Sequence, residues 1–265
     1  MNDFLIEVFK DTKKLYSSDE DLKASVEFTK THQKLYPEEE KIDISDIKPA
    51  FETKVVVSKK RTFQAAEAYK NENVGVLNFA NSFEPGGGVV YGARAQEESL
   101  CRLSTLYAAL STDEMDSGFY EKHLDDDDPL ATDDIIYSPC VTVFKSDDSE
   151  MKVRDKSQWF NVNVITCAAP DLYDADISDE ELFTLHVKRW RRIFTVAVKN
   201  GCTTLILGAF GCGAFRNNPE IVAKAAKKIV DEFSGYFNCI EFAVACKDDW
   251  TNFETFKKVI LKTWE

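Results

Sequence analysis

The absences in this 265-residue chain set the first limits. Nowhere do about 18 apolar residues run together, the length a helix needs to cross a bilayer, so no membrane partner is expected. There are seven cysteines, an odd number, and no pair has Cys-x-x-Cys spacing. Several sit inside apolar runs, as in Val164-Ile-Thr-Cys167, which predicts reduced core thiols and a cytoplasmic or nuclear protein. The opening Met1–Glu7 has no basic stretch leading into an apolar one, so no signal peptide is expected. Histidine is scarce (His32, His123 and His186), and no His, Cys and carboxylate cluster has ligand spacing, so no metal is expected. Basic residues number 33 against 46 acidic ones, a net charge of −13, which disfavours duplex nucleic acid and anionic membranes as partners. An anionic small ligand is not excluded, because backbone N–H groups bind phosphate without lysine.

With 44% apolar and 12% aromatic residues the chain can fill a core, so wholesale disorder is excluded. Lys54–Ser58, Val74–Asn78, Tyr137–Phe144, Val162–Cys167, Thr204–Gly208 and Ile240–Cys246 read as short buried strands. Helices are predicted between them. Ala95–Leu110 places Leu100, Leu103, Tyr107 and Leu110 on one face. Ser178–Asn200 opens with the capping box Ser178-Asp-Glu-Glu181 and stops at Gly201. Asn218–Phe233 has Asn218 as cap and Pro219 in the first turn, and Asn252–Trp264 follows a second capping box, Thr251-Asn-Phe-Glu254. This alternation predicts an α/β domain with a mixed, largely parallel sheet.

The first 50 residues differ. Met1–Lys34 is charged and glycine-free, with Phe4, Leu5, Val8, Phe9 and Leu15 at helical spacing, and a second helix is expected over Glu20–Tyr36, ending at Pro37. We therefore divide the chain into a helical extension, 1–50, packed on a main domain, 51–265. Asp125–Asp128 is expected to be a solvated loop, since it lacks the spaced oxygen ligands and turn glycine of a calcium site.

Two glycine-rich strand exits carry the chemistry. The first runs from Asn78 through Gly86, Gly87 and Gly88 and, after seven residues, reaches Gln96-Glu-Glu98 at a helix start. The bland interpretation is a turn followed by glutamates that favour a helix N-terminus. The sharper one is a flexible loop that brings a carboxyl group to a phosphate-bearing substrate. The second exit, Leu205–Phe215, contains Gly208, Gly211 and Gly213, whose amides could face a diphosphate. Phe210 and Phe215 are either core or a wall for a base or ribose. Cys212 has no evident histidine partner, which argues against a nucleophile. Neither loop has the Gly-Lys-Ser/Thr of a Walker loop or Gly-x-Gly-x-x-Gly. Two such loops suit a diphosphate ligand such as ADP-ribose.

Asn78-Phe-Ala-Asn81, Pro85-Gly-Gly-Gly88 and Gln96-Glu-Glu98 resemble the signature of bacterial-type poly(ADP-ribose) glycohydrolases, which are macrodomain enzymes. The likeness continues through Ser99–Tyr107, Tyr137–Phe144, Val164–Pro170 and Leu207–Phe215, and covers the chain from about Lys54 onward. The resemblance implies a three-layer α/β/α macrodomain with an N-terminal helical extension. It also implies hydrolysis of ribose–ribose bonds in poly(ADP-ribose), or of ADP-ribosylated proteins, to release ADP-ribose without a cofactor. Carried onto matching positions, Glu98 would be the catalytic acid, Glu97 would hold the adjoining ribose, and Gln96 would shape that pocket. Asn81 would contact the terminal ribose and Gly86, Gly87 and Gly88 would line the catalytic loop. Gly211, Cys212, Gly213, Ala214 and Phe215 would form the diphosphate loop. The alternatives are a reader that binds ADP-ribose without cleaving it, and a hydrolase of singly modified acceptors. A reader has no reason to keep Glu97 beside Glu98. One tension accompanies the catalytic role: a helix N-terminus opposes a protonated Glu98, whereas Glu97, substrate phosphates and burial favour it.

Overall fold

The computed structural model describes residues 3–262 except residues 174 and 247. The chain begins with α1 (Asp3–Ser18), α2 (Glu20–His32) and β1 (Lys34–Tyr36), then β2 (Lys54–Ser58), α3 (Thr62–Glu67) and β3 (Val74–Ala80). A 3₁₀ turn over Gly87–Tyr91 leads to α4 (Gln96–Leu103), α5 (Leu106–Leu110), α6 (Asp113–Met115) and α7 (Glu121–Asp126). The remainder is β4 (Ile135–Val143), β5 (Phe160–Ala168), α8 (Asp179–Lys199), β6 (Thr204–Leu207), α9 (Pro219–Glu232), β7 (Cys239–Ala243) and α10 (Thr251–Ile260).

The strands form one seven-stranded sheet in the order β1-β4-β5-β3-β6-β7-β2. The pairs β1–β4 and β4–β5 are antiparallel, and the other four are parallel. Strand alternation sends successive side chains to opposite faces. Leu77, Ile165 and Leu205 thus join one core, under α8, α9 and α10, with Trp190, Phe194 and Phe256. Their neighbours Val76, Val164 and Ile206 join the other core, with Phe63, Leu100 and Leu103. The result is the expected three-layer α/β/α sandwich with a mixed, largely parallel sheet. No described helix is long and apolar enough to cross a membrane. All seven cysteines are free.

The first 50 residues share in both the core and the sheet. Leu5, Val8 and Phe9 of α1 are buried in the second core. Lys145, 1% exposed, donates to the Val8 carbonyl at 3.0 Å and pairs with Asp11 at 2.8 Å. Thr29 of α2 donates to the Pro139 carbonyl.

Four expectations need correction. Lys34–Tyr36 is a strand, not a helix end: α2 stops at His32, and Lys34, Leu35 and Tyr36 pair with Tyr137, Ile136 and Ile135. The exposed edge of β4 outcompetes helix propagation by satisfying those backbone groups. The helix expected over Ala95–Leu110 is broken at Ser104, which bridges to Val143, while Thr105 donates to the Thr142 carbonyl. Thr251 does not cap α10: Trp250 occupies that position without a side-chain bond, and Asp249 accepts from the Thr251 amide at 2.8 Å. The expected end of that helix at Trp264 lies outside the described residues. The strand expected to reach Cys246 ends at Ala243. The Ser178–Glu181 capping box and the Asn218 cap with Pro219 form as expected. Asp125 and Asp126 close α7, and the Asp125–Asp128 run is exposed.

Candidate active site

The carboxyl ends of the parallel strands open into a cleft of about 530 Å³, within the size range of small-molecule sites. Its walls come from the segments after β3 and β6, the start of α4, and residues following β5, β7 and β2.

After β3, the Asn81 side-chain oxygen accepts from the amides of Phe83 (2.7 Å) and Glu84 (2.9 Å) and folds the chain toward the glycines. Gly87 has φ +54°, and a Cβ there would lie 2.8 Å from Glu98 Oε1 and 3.2 Å from Glu97 Oε2. Only glycine lets this backbone lie against both carboxyls.

Gln96 stitches the start of α4 to β3. Its Oε1 accepts from the Phe79 amide at 2.9 Å, and its Nε2 donates to the Leu77 carbonyl at 2.8 Å. That fixes the two glutamates that follow. Glu97 is 2% exposed; Oε1 accepts from Asn78 Nδ2 at 3.0 Å and Oε2 from the Asn81 amide at 2.8 Å. Burial raises the Glu97 carboxyl to about 8 despite those hydrogen bonds, and the neighbouring Glu98 adds to the rise. Glu98 is 7% exposed; its Oε1 accepts from the Gly88 amide at 3.1 Å, while its Oε2 is buried without a partner among the described residues.

The second loop faces the same cleft. The amides of Gly211, Gly213, Ala214 and Phe215 donate no hydrogen bond among the described residues. Four unpaired donors in one short loop form an anion cradle. Phe215 lines the cleft, whereas Phe210 is fully buried against Trp190, with ring centroids 5.4 Å apart, and belongs to the core. Cys212 is the exception in its loop. Its amide donates to the Ala209 carbonyl, its side chain does not line the cleft, and burial pushes its thiol far above the usual range.

Of the predicted site residues, Asn81, Gln96, Glu97, Glu98, Gly211, Gly213, Ala214 and Phe215 line one cleft. Gly86, Gly87 and Gly88 do not; Gly87 and Gly88 stand behind Glu98 and position it. Sequence reasoning missed Arg61, Arg94 and Asp147, which also line the cleft. Arg61 pairs with Asp147 at 3.2 Å, and Asp147 accepts from the Phe63 amide at 3.1 Å, so it caps α3 from across the fold. Nothing in the sequence joins Asp147 to α3. Arg94 is only two residues before Gln96, and its charge in so acidic a chain was the available signal.

The layers, and a cleft at the carboxyl edge of parallel strands, are those of a macrodomain-like protein. The model of the microbial-type PARG catalytic domain matches residues 6–146. The chain is similar to the crystal structure of poly(ADP-ribose) glycohydrolase from Thermomonospora curvata bound to the inhibitor ADP-HPD: 27% identity, TM-score 0.86, covering 97% of this chain and 99% of that one. It is also similar to the enzyme from Deinococcus radiodurans in complex with ADP-ribose: 31% identity, TM-score 0.81, covering 89% and 97%. No curated protein matches. The chain belongs to the microbial-type poly(ADP-ribose) glycohydrolase family.

Proposed function

We propose that this protein hydrolyses the ribose–ribose O-glycosidic bonds of poly(ADP-ribose) and releases ADP-ribose, with Glu98 as general acid and base. The observation that carries this is the meeting, in one cleft, of the Glu97–Glu98 pair and the four unpaired amides of the Gly211–Phe215 loop. The amides hold the diphosphate, and the glycine-backed start of α4 presents a carboxyl group to the sugar at its end.

In the reaction, protonated Glu98 gives its proton to the 2′-oxygen of the neighbouring unit as the bond from that oxygen to the anomeric carbon breaks. The electron pair leaves with the oxygen, and an oxocarbenium-like centre forms. The Glu98 carboxylate then takes a proton from water, whose oxygen bonds to the anomeric carbon, and the acid is regenerated. Burial keeps Glu97 largely neutral at pH 7, so the repulsion expected from it to favour a proton on Glu98 is absent, and Glu97 instead supplies an O–H for a ribose hydroxyl. In substrate binding, the Asn81 side chain offers the terminal ribose its NH2 group, since its side-chain oxygen serves the turn and its backbone amide donates to Glu97. Phe215 packs near the nucleotide.

Incubating purified protein with labelled polymer and separating the products tests this. Release of ADP-ribose is expected; binding of polymer without any release would make the chain a reader. A parallel assay on a singly modified acceptor shows whether the bond to protein is also cut.

A further inference from the structure

Asn217 and His186 belong to none of the motifs above, and neither lines the cleft. Both are buried, at 2% and 0% exposure, and they touch: His186 Nε2 lies 2.7 Å from Asn217 Oδ1. On its other side the Asn217 amide donates to three carbonyls, of Pro170 at 2.7 Å, Gly211 at 3.1 Å and Phe215 at 3.0 Å. Its two hydrogens are shared among them, which fixes Oδ1 as the acceptor. His186 Nε2 therefore carries a proton, and Nδ1 is the bare nitrogen, buried without a partner among the described residues. Burial holds the imidazole neutral, with its pKa lowered to about 4.

This pair explains the orientation of the loop. The Gly211 carbonyl accepts from both the backbone and side-chain nitrogens of Asn217, and the Phe215 carbonyl accepts from Leu172 and Asn217. The carbonyls of Ala209 and Gly213 are taken by the amides of Cys212 and Arg216. With those oxygens drawn inward, the amides of Gly211, Gly213, Ala214 and Phe215 are left without acceptors among the described residues. The bond to Pro170 ties the same loop to the wall that continues from β5. Gly211 allows the approach, since a Cβ there would lie 2.9 Å from Asn217 Nδ2 and 2.8 Å from the Ala169 Cβ.

We infer that Asn217, oriented by His186, is a positioning residue for the diphosphate of the substrate: it holds carbonyl oxygens out of the cleft and so leaves the loop amides for the anion. This rests on the ADP-ribose reading of the site and extends it to residues that never touch the ligand.

The test uses the full chain and compares wild type with N217A, H186F and H186Q. Melting temperature, ADP-ribose affinity by calorimetry, competition by adenosine, and kcat and KM on polymer are measured for each. Losing oriented charge-assisted hydrogen bonds to phosphate predicts that N217A weakens ADP-ribose binding about 10–100-fold. KM should rise with little change in kcat, as expected when ground state and transition state are held alike. Adenosine, which lacks the diphosphate, should compete as it does with wild type. H186F should show a smaller loss in the same direction, and H186Q, which keeps a donor for Asn217, should recover part of it. A folded N217A that binds ADP-ribose like wild type overturns the inference, as does an equal loss for adenosine and ADP-ribose. Should N217A not fold, ADP-ribose affinities for H186F and H186Q both equal to wild type would overturn it instead. A wild type that does not bind ADP-ribose would overturn the functional reading, a distinct failure.

Discussion

Glu97 and Glu98 are adjacent in sequence but meet different surroundings. Glu97 is held by two donors at the cleft wall and burial raises its pKa to about 8; Glu98 lies against the Gly88 amide with one oxygen unpartnered among the described residues. The rise for Glu97 has a consequence for stability. The native carboxyl binds its proton more tightly than the unfolded one, so the native state loses stability as pH rises from about 4.5 to about 8. Glu97→Gln removes that loss. The melting temperature of the variant relative to wild type should increase from pH 5 to pH 8, and a difference that stays flat or falls across that window would contradict the assignment. Sequence alone marked both glutamates, because three glycines, a seven-residue spacer and Gln-Glu-Glu fall on a strand-to-helix crossing. It could not tell which of the two buried carboxyls is held by donors at both oxygens, since that depends on Asn78 and Asn81 closing over one of them.

At the scale of elements, Gly87 brings the loop backbone against two carboxyls. Gly87→Ala places a Cβ 2.8 Å from Glu98 Oε1 at positive φ. The variant should lose about 1–3 kcal/mol of stability and most polymer hydrolysis. Calorimetric melting and turnover check both, and unimpaired turnover would show that the loop does not position Glu98. The helix-cap signals at Ser178 and at Asn218 with Pro219 were legible because they are local. Two of the misread segments are those where long-range backbone pairing prevails, whereas the Thr251 box fails locally because Asp249 takes the Thr251 amide. Lys34–Tyr36 follows a helical pattern yet docks on β4, and Ser104 breaks a continuous apolar face to bridge Val143. Asp147 is the same lesson at the site, for it caps a helix some 80 residues away in the chain.

For the whole molecule, the N-terminal residues are part of the architecture that supports α4. Deleting residues 1–18 removes Leu5, Val8 and Phe9 from the core and strips Lys145, a buried ammonium, of both its partners. Exposed apolar core and an unpaired buried charge should lower the melting temperature by at least about 10 °C or prevent folding. A truncated chain that melts like the parent would show the extension to be dispensable. The net charge of −13 opposes long-range attraction of a polyanion, so binding is proposed to come from short-range contacts inside the cleft. Polymer affinity should therefore hold or improve modestly as salt is raised, and a steep loss would point to binding on a basic surface instead.

The proposed division of labour gives the proton to a single carboxyl, on Glu98, and the binding to the amide cradle. Its most direct test is polymer hydrolysis by Glu98→Gln with ADP-ribose affinity measured on the same preparation. Loss of general acid–base catalysis predicts turnover reduced by about 10²–10⁴-fold with affinity close to that of wild type. Turnover retained at the wild-type level, with affinity unchanged, would contradict it.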